Sequence, residues 1–154
     1  MNNQDEVLHV GISVVPELMD TDADGDLDMV VGTRSDGVWL FENTGTRAKP
    51  AWAASGKELK TESGKEVEGS NAHHADWNGD GRIDLITGSE WGGAKWYKNV
   101  GEPNAPVYED AKVLVEKNEY AERTEEEGPV GPGSRTKVHV TDWNADGKAD
   151  LLVG

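Results

Sequence analysis

The sequence predicts an all-β fold assembled from repeated four-stranded antiparallel units, and three observations carry that expectation. One string recurs three times, as DTDADGDLDMVVG from Asp20, DWNGDGRIDLITG from Asp76 and DWNADGKADLLVG from Asp142. Around it, short apolar and β-branched runs end at glycine or at Asn-x-Gly, the punctuation of strands and turns. Nowhere does the apolar pattern follow a helical period.

The first two copies run in register at a spacing of 56 residues. Asp20 answers Asp76, Gly32 answers Gly88, Asn43 answers Asn99, Gly45 answers Gly101, Pro50 answers Pro106, and Trp52 answers Tyr108. The third copy follows the second after 66 residues, so ten residues are inserted before it. The stretch between Tyr108 and Asp142 that takes them up holds the acidic run 119–128, then Pro129, Gly131, Pro132 and Gly133, the composition of a surface loop.

Within each unit the elements fall in one order. A first strand precedes the aspartates, as at 137–141, and a second follows them, at 27–31 and 83–87. A third occupies 37–41 and 94–97 and is closed by the Asn43 and Asn99 turns. A fourth is expected over 51–59 and 107–115. Four strands per unit predict a β-propeller blade, with a long-unit solenoid as the competing architecture. The whole chain, 1–154, then reads as one partial propeller: blade 1 over 7–60, blade 2 over 65–116, an acidic insertion at 116–133, and half a third blade over 134–154. Two complete blades and the first half of another do not close a ring. The chain is therefore expected to be a segment, completed by the remainder of the propeller or by other copies through the open blade edge.

Composition narrows the function classes. The chain has 30 Asp and Glu against 15 Lys and Arg, a net charge of −15, so phosphate contacts to nucleic acid are excluded as its main business. Six tryptophans argue against a disordered acidic chain. The absence of cysteine rules out disulfides and thiolate metal sites. No apolar run approaches the length needed for membrane insertion, and the N-terminus does not read as a signal peptide.

The repeated loop carries chemistry. A hard cation such as Ca²⁺ takes six to eight oxygens, and alternating side chains of a tight loop supply them. Positions 1, 3 and 5 are Asp20, Asp22 and Asp24; Asp76, Asn78 and Asp80; Asp142, Asn144 and Asp146. Position 6 is Gly25, Gly81 or Gly147, where the chain must turn sharply. Position 7 is expected to ligate through its backbone carbonyl, which makes Asp26, Arg82 and Lys148 interchangeable. Position 9, Asp28, Asp84 or Asp150, is expected to close the cage. An EF-hand closes instead with Glu at position 12 between helices, and strands flank these loops. A plain Asp/Asn/Gly turn needs no carboxylate at positions 1, 5 and 9, yet all three copies keep them. Three structural Ca²⁺ sites are expected, the first the tightest because it has four ligating carboxylates.

These units resemble the FG-GAP/VCBS-type repeats of calcium-binding β-propellers, the family that includes the integrin α-subunit head. The resemblance rests on the D-x-[DN]-x-D-G-x-x-D loop, the apolar strand ending in Gly and the next strand closed by N-x-G. It covers residues 7–154.

Other residues are less specific. Glu17, His73 and His139 each lie three residues before a loop, and either form a facial metal triad or pack blade against blade. His74 and His9 read as ordinary. Trp39, Trp52 and Trp96 are expected between blades, while Trp77 and Trp143 are expected to cover their metal hairpins. Trp91 stands between Glu90 and two glycines in the turn that matches Ser35, and either binds a ligand or folds back on a blade. Turns after second strands share the face opposite the calcium loops, so Arg34, Glu90, Trp91 and the acidic insertion are the expected surface for a glycan or protein ligand.

The function expected is a calcium-stabilised binding or adhesion scaffold in an extracellular, cell-surface or periplasmic setting. A polysaccharide lyase drawing on His73, His139, Tyr97, Tyr120 and Arg34 is the enzymatic rival, and a purely structural part of a surface assembly is the third reading.

Overall fold

A computed structural model describes residues 12–35, 37–117 and 133–154. Ten strands follow in order: β1 (Val15–Met19), β2 (Asp28–Gly32), β3 (Val38–Phe41), β4 (Lys57–Glu58), β5 (Asn71–Ala75), β6 (Asp84–Gly88), β7 (Ala94–Tyr97), β8 (Lys112–Val115), β9 (Val138–Thr141) and β10 (Asp150–Val153). They form antiparallel sheets β1-β2-β3-β4 and β5-β6-β7-β8, with β9 and β10 paired as a third sheet. This is a propeller segment of two four-stranded blades and the first two strands of another. None of the described residues forms a helix, so no helix here is long and apolar enough to cross a membrane.

The hydrophobic cores lie between the blades. Val30 and Val38 of the first sheet meet Ala72, Leu85, Tyr97 and Tyr108 of the second, with Val67 of the connecting segment between them. Ile86 and Ala94 meet Val138, with Trp77, Trp96, Leu114, Val140 and Leu151 around them. A sheet with both faces buried in this way explains why β6 is buried at every position. The first strands of successive blades touch, β1 against β5 and β5 against β9, which sets them on the inside of the fan.

Two glycines make that approach possible. A Cβ on Gly32 would lie 2.6 Å from Asn71 Cα, and one on Gly88 would lie 2.4 Å from the Thr136 carbonyl oxygen. Gly at the ends of β2 and β6 is thus required because the next blade's backbone fills the space.

The fourth strands depart from expectation. Instead of 51–59, only Lys57–Glu58 pairs as a strand, after an isolated bridge from Asn43 to Trp52. Instead of 107–115, β8 begins at Lys112, after Tyr108 has bridged both Asn99 and Thr61. Each segment follows a proline, Pro50 or Pro106, that has no amide to offer a ladder.

Candidate functional site

The three Asp-rich loops join β1 to β2, β5 to β6 and β9 to β10, and their hydrogen bonds repeat position by position. In each, the amide of position 5 donates to the carboxylate of position 1: Asp24 to Asp20 at 3.2 Å, Asp80 to Asp76 at 3.0 Å, Asp146 to Asp142 at 3.0 Å. It also donates to the side-chain oxygen of position 3, which is Asp22 at 3.2 Å, Asn78 at 2.8 Å or Asn144 at 2.9 Å. The amide of position 6 reaches the second oxygen of position 1 at 2.8–3.0 Å. The amide of position 7 donates to position 5 at 2.9–3.0 Å.

Two residues per loop have left-handed backbone. Gly25, Gly81 and Gly147 stand at φ +96°, +85° and +84°. Position 4 is left-handed as well, at Ala23 (+60°), Gly79 (+73°) and Ala145 (+60°). The sequence reading missed position 4, although the small residue there in every copy was a visible signal.

In the first loop, ligand oxygens of Asp20, Asp22 and Asp24 lie within 4.8 Å of one another. Desolvation pushes the Asp22 carboxyl up, and the charges of Asp24, Asp28 and Asp20 add to it. Desolvation likewise raises Asp26, again reinforced by Asp24 and Asp28. The second loop is balanced differently. Lys98 Nζ lies 3.1 Å and Arg82 Nη1 3.7 Å from Asp80 Oδ2. The Arg82 amide and then Lys98 hold the Asp80 carboxyl below its usual range.

Position 9 faces the backbone. Asp28 takes the Thr21 amide and hydroxyl on one oxygen and the Asn43 amide, at 2.7 Å, on the other. Asp84 takes the Asn99 amide at 2.7 Å, and Asp150 takes the Trp143 amide at 2.9 Å. These bonds seat the Asn43 and Asn99 turns on the same face as the loops. Each Asn then closes its own turn, Asn43 Oδ1 accepting from Gly45 and Ala51 and Asn99 Oδ1 from Gly101 and Val107. Asp84 is fully buried; burial raises its carboxyl, and its Oδ2 has no hydrogen-bond partner.

The donor set fits a hard cation: oxygen only, carboxylate-rich, with like charges held close and a buried oxygen left over. Positions 1, 3 and 5 converge, whereas the position 9 carboxylates are engaged at the base of the hairpin.

Glu17, His73 and His139 are brought together, but as a chain of contacts. Glu17 Oε2 lies 3.2 Å from His73 Nδ1, and the His73 and His139 rings stand 4.5 Å apart. Burial raises Glu17, yet the bonds from His73 and His74 outweigh it and hold the carboxyl at about 2. The Glu17 bond raises His73 in turn. Among the described residues, the one convergent set of three carboxylate or imidazole ligand atoms is that of Asp20, Asp22 and Asp24. The other rival candidates scatter: Tyr97 is buried with its hydroxyl accepting from the Glu68 amide at 2.9 Å, and Tyr120 and His9 lie outside the described residues.

The tryptophans are corrected in part. Trp77 leans on the cluster between the second and third sheets instead of covering its loop, because β9 and β10 stand beside it. Trp143, at the same loop position, is 74% exposed. Trp96 packs between blades as expected and carries Lys112 over its ring at 4.8 Å. Trp39 and Trp52 are half-buried. Trp91 does not fold back: it is 70% exposed.

At the end opposite the Asp loops, Arg34, Glu90 and Trp91 lie together, joined by Arg135, which the sequence reading missed. Arg34 Nε and Arg135 Nε lie 3.2 and 3.3 Å from the same oxygen, Glu90 Oε1. Nothing local in the sequence pairs Arg135 with a residue 45 positions earlier. A groove of about 340 Å³ opens beside Trp91, between the Ser89–Gly93 turn and β8. A larger one of about 620 Å³ lies at the Asp-loop end, where the outer part of the first sheet diverges from the 104–108 turn of the second. Most of the acidic insertion, 118–132, lies outside the described residues.

Fold and loops together define a class: a propeller segment with an Asp-rich hairpin loop between the first two strands of each blade. The FG-GAP-like repeat model matches residues 76–153, half of the chain, and the chain belongs to that family. No curated protein and no solved structure matches it.

Proposed function

We propose that this chain is part of a calcium-stabilised extracellular β-propeller that serves as a binding or adhesion scaffold for a glycan or protein ligand. The observation that carries the metal part is the convergence of Asp20, Asp22 and Asp24 oxygens within 4.8 Å, in a loop whose hydrogen bonds recur in all three copies. The residues that would hold the ions are positions 1, 3 and 5 of each loop, with position 7 through its carbonyl and position 9 at the base. Bound calcium supplies positive charge that offsets the crowded carboxylates. The chain's own part is to turn amides of positions 5 to 7 onto those carboxylates and to tie the loop to the Asn43 and Asn99 turns.

FG-GAP repeats often bind calcium and are typical of extracellular proteins, and both points support the reading. Such loops fill where calcium is abundant, outside the cytosol or in the periplasm. The exposed edge of β10 offers a surface for the remainder of a propeller or another copy, and the ligand would bind on the Arg34–Glu90–Trp91 face. The test is a melting curve in millimolar calcium and in EDTA. Calcium binds the folded state and is expected to raise the midpoint by mass action; a midpoint indifferent to calcium overturns the metal assignment.

A further inference from the structure

We propose that Arg34 and Arg135, braced on Glu90, form an anion-recognition site beside Trp91, and that its ligand is a saccharide carrying a carboxylate or sulfate group. The inference deepens the ligand-face reading above and rests on it. Three segments of the chain build the site: Arg34 follows β2, Glu90 follows β6 and Arg135 precedes β9. Both Nε atoms lie on one Glu90 oxygen, at 3.2 and 3.3 Å, so the two guanidinium groups are neighbours. The Glu90 side chain is only 10% exposed, whereas those of Arg34 and Arg135 are 46% and 68% exposed. One carboxylate thus pairs with two cations. Each guanidinium has five N–H groups; Arg135 donates its Nε–H to Glu90 and Arg34 pairs with the same oxygen, so the terminal N–H groups of both are not needed for Glu90. Two forks held side by side match the spaced oxygens of an oxyanion.

The backbone adds an independent observation. Arg135 has a left-handed φ of +63°, costly for a residue with a Cβ, and such strain clusters at ligand clamps. It is held there by its amide on the Glu90 carbonyl at 2.8 Å and by the Thr136 amide on the Ser89 carbonyl at 3.0 Å.

The neighbourhood points to a sugar. Trp91 follows Glu90 directly and is 70% exposed, and Gly92 and Gly93 leave one side of it without side chains. Its indole borders the 340 Å³ groove, whose charged lining is balanced, Lys95 paired with Glu68 and Lys117 beside Glu116. An exposed aromatic face that stacks on a ring, next in sequence to the carboxylate that braces two arginines, suits an acidic sugar. A protein ligand would call for a desolvated apolar pocket instead.

The experiment is calorimetric titration of the whole chain in calcium with four probes: a uronate oligosaccharide, a sulfated galactan oligosaccharide, a neutral galactan oligosaccharide and a polyglutamate peptide. At least one acidic sugar is expected to bind ten-fold or more tighter than the neutral sugar and the peptide, and which one binds identifies the oxyanion. Arg34→Gln with Arg135→Gln is expected to weaken that binding at least ten-fold. Arg135→Lys keeps a cation on Glu90 but removes the fork, so it is expected to weaken binding with the melting midpoint preserved. Neutral sugar bound equally well, with Trp91→Ala abolishing it, overturns the anion site and leaves the ligand face standing. Acidic sugar bound with no dependence on Arg34, Arg135 or Trp91 overturns both. Preference for the peptide, or no binding by any probe, overturns the inference.

Discussion

Asp22→Asn separates the proposed metal role of the first loop from its structural role. The other two loops already have an amide at this position, and Asn78 and Asn144 accept the position 5 amide at 2.8 and 2.9 Å, as Asp22 does at 3.2 Å. The substitution therefore keeps the local hydrogen bond and removes one charge. Without calcium, the Asp22 carboxyl is pushed up by desolvation and by Asp24, Asp28 and Asp20. A raised acid destabilises the fold when ionised, so at neutral pH the calcium-free variant is expected to melt no lower than wild type and somewhat higher. With calcium the order reverses, because the loop has lost a ligating charge. If the calcium concentration falls from a hundred to ten times the dissociation constant, the stabilisation drops from about 2.7 to about 1.4 kcal/mol. For a chain of this length that is a fall of about 3–5 °C in the midpoint. Differential scanning calorimetry of both proteins in EDTA and in calcium reads all four numbers. Curves that do not cross, with the variant lower by the same amount in both conditions, would refute the reasoning.

Two further outcomes are expected. Gly88→Ala forces a Cβ to within 2.4 Å of the Thr136 carbonyl, so the second and third blades must separate, at about 1–3 kcal/mol; a urea melt in which Gly88→Ala leaves the midpoint unchanged would remove the packing argument. Glu17→Gln tests the carboxylate–imidazole pair: Glu17, held at about 2 instead of 4.5, contributes stability that is lost as pH falls below about 4.5, and His73, raised above 6.5, contributes stability that is lost as pH rises through its raised pKa. The gap between wild type and variant is thus expected to be widest between those two values, and a gap constant from pH 3 to 9 would show that the pair does not titrate as its geometry implies.

How far the site could be read depended on sequence distance. The carboxylates of positions 1, 3 and 5 lie within five residues, and the same turn chemistry appears three times, so their convergence was legible. So was the grouping of Arg34, Glu90 and Trp91 at the opposite end, because strand order alone dictates which turns share a face. Position 9 was read as a cage member on spacing; that Asp28 and Asp84 also accept the amides of Asn43 and Asn99, 15 residues on, was not legible. Arg135 was not legible, since its bond to Glu90 joins segments on either side of an irregular insertion.

By itself the sequence determined the strand order, the loop chemistry and the glycines at strand ends, because each follows from residues close together and is repeated at a fixed spacing. Only the tertiary structure decided what passes between blades. Trp77 and Trp143 occupy the same loop position, yet one packs against the cluster of Ile86, Ala94 and Val138 and the other is exposed. Glu17, His73 and His139 sit alike in their own repeats, and only the approach of β1 to β5 and β5 to β9 makes them neighbours. Gly32 and Gly88 read as strand ends, and only the facing backbones of Asn71 and Thr136 show that a Cβ has no room there. The physical reason is common to all three. A blade's hydrogen bonds lie within its own sheet, but its buried surface and its charged partners belong to the next blade, and the packing angle that brings them together is not written in any single repeat.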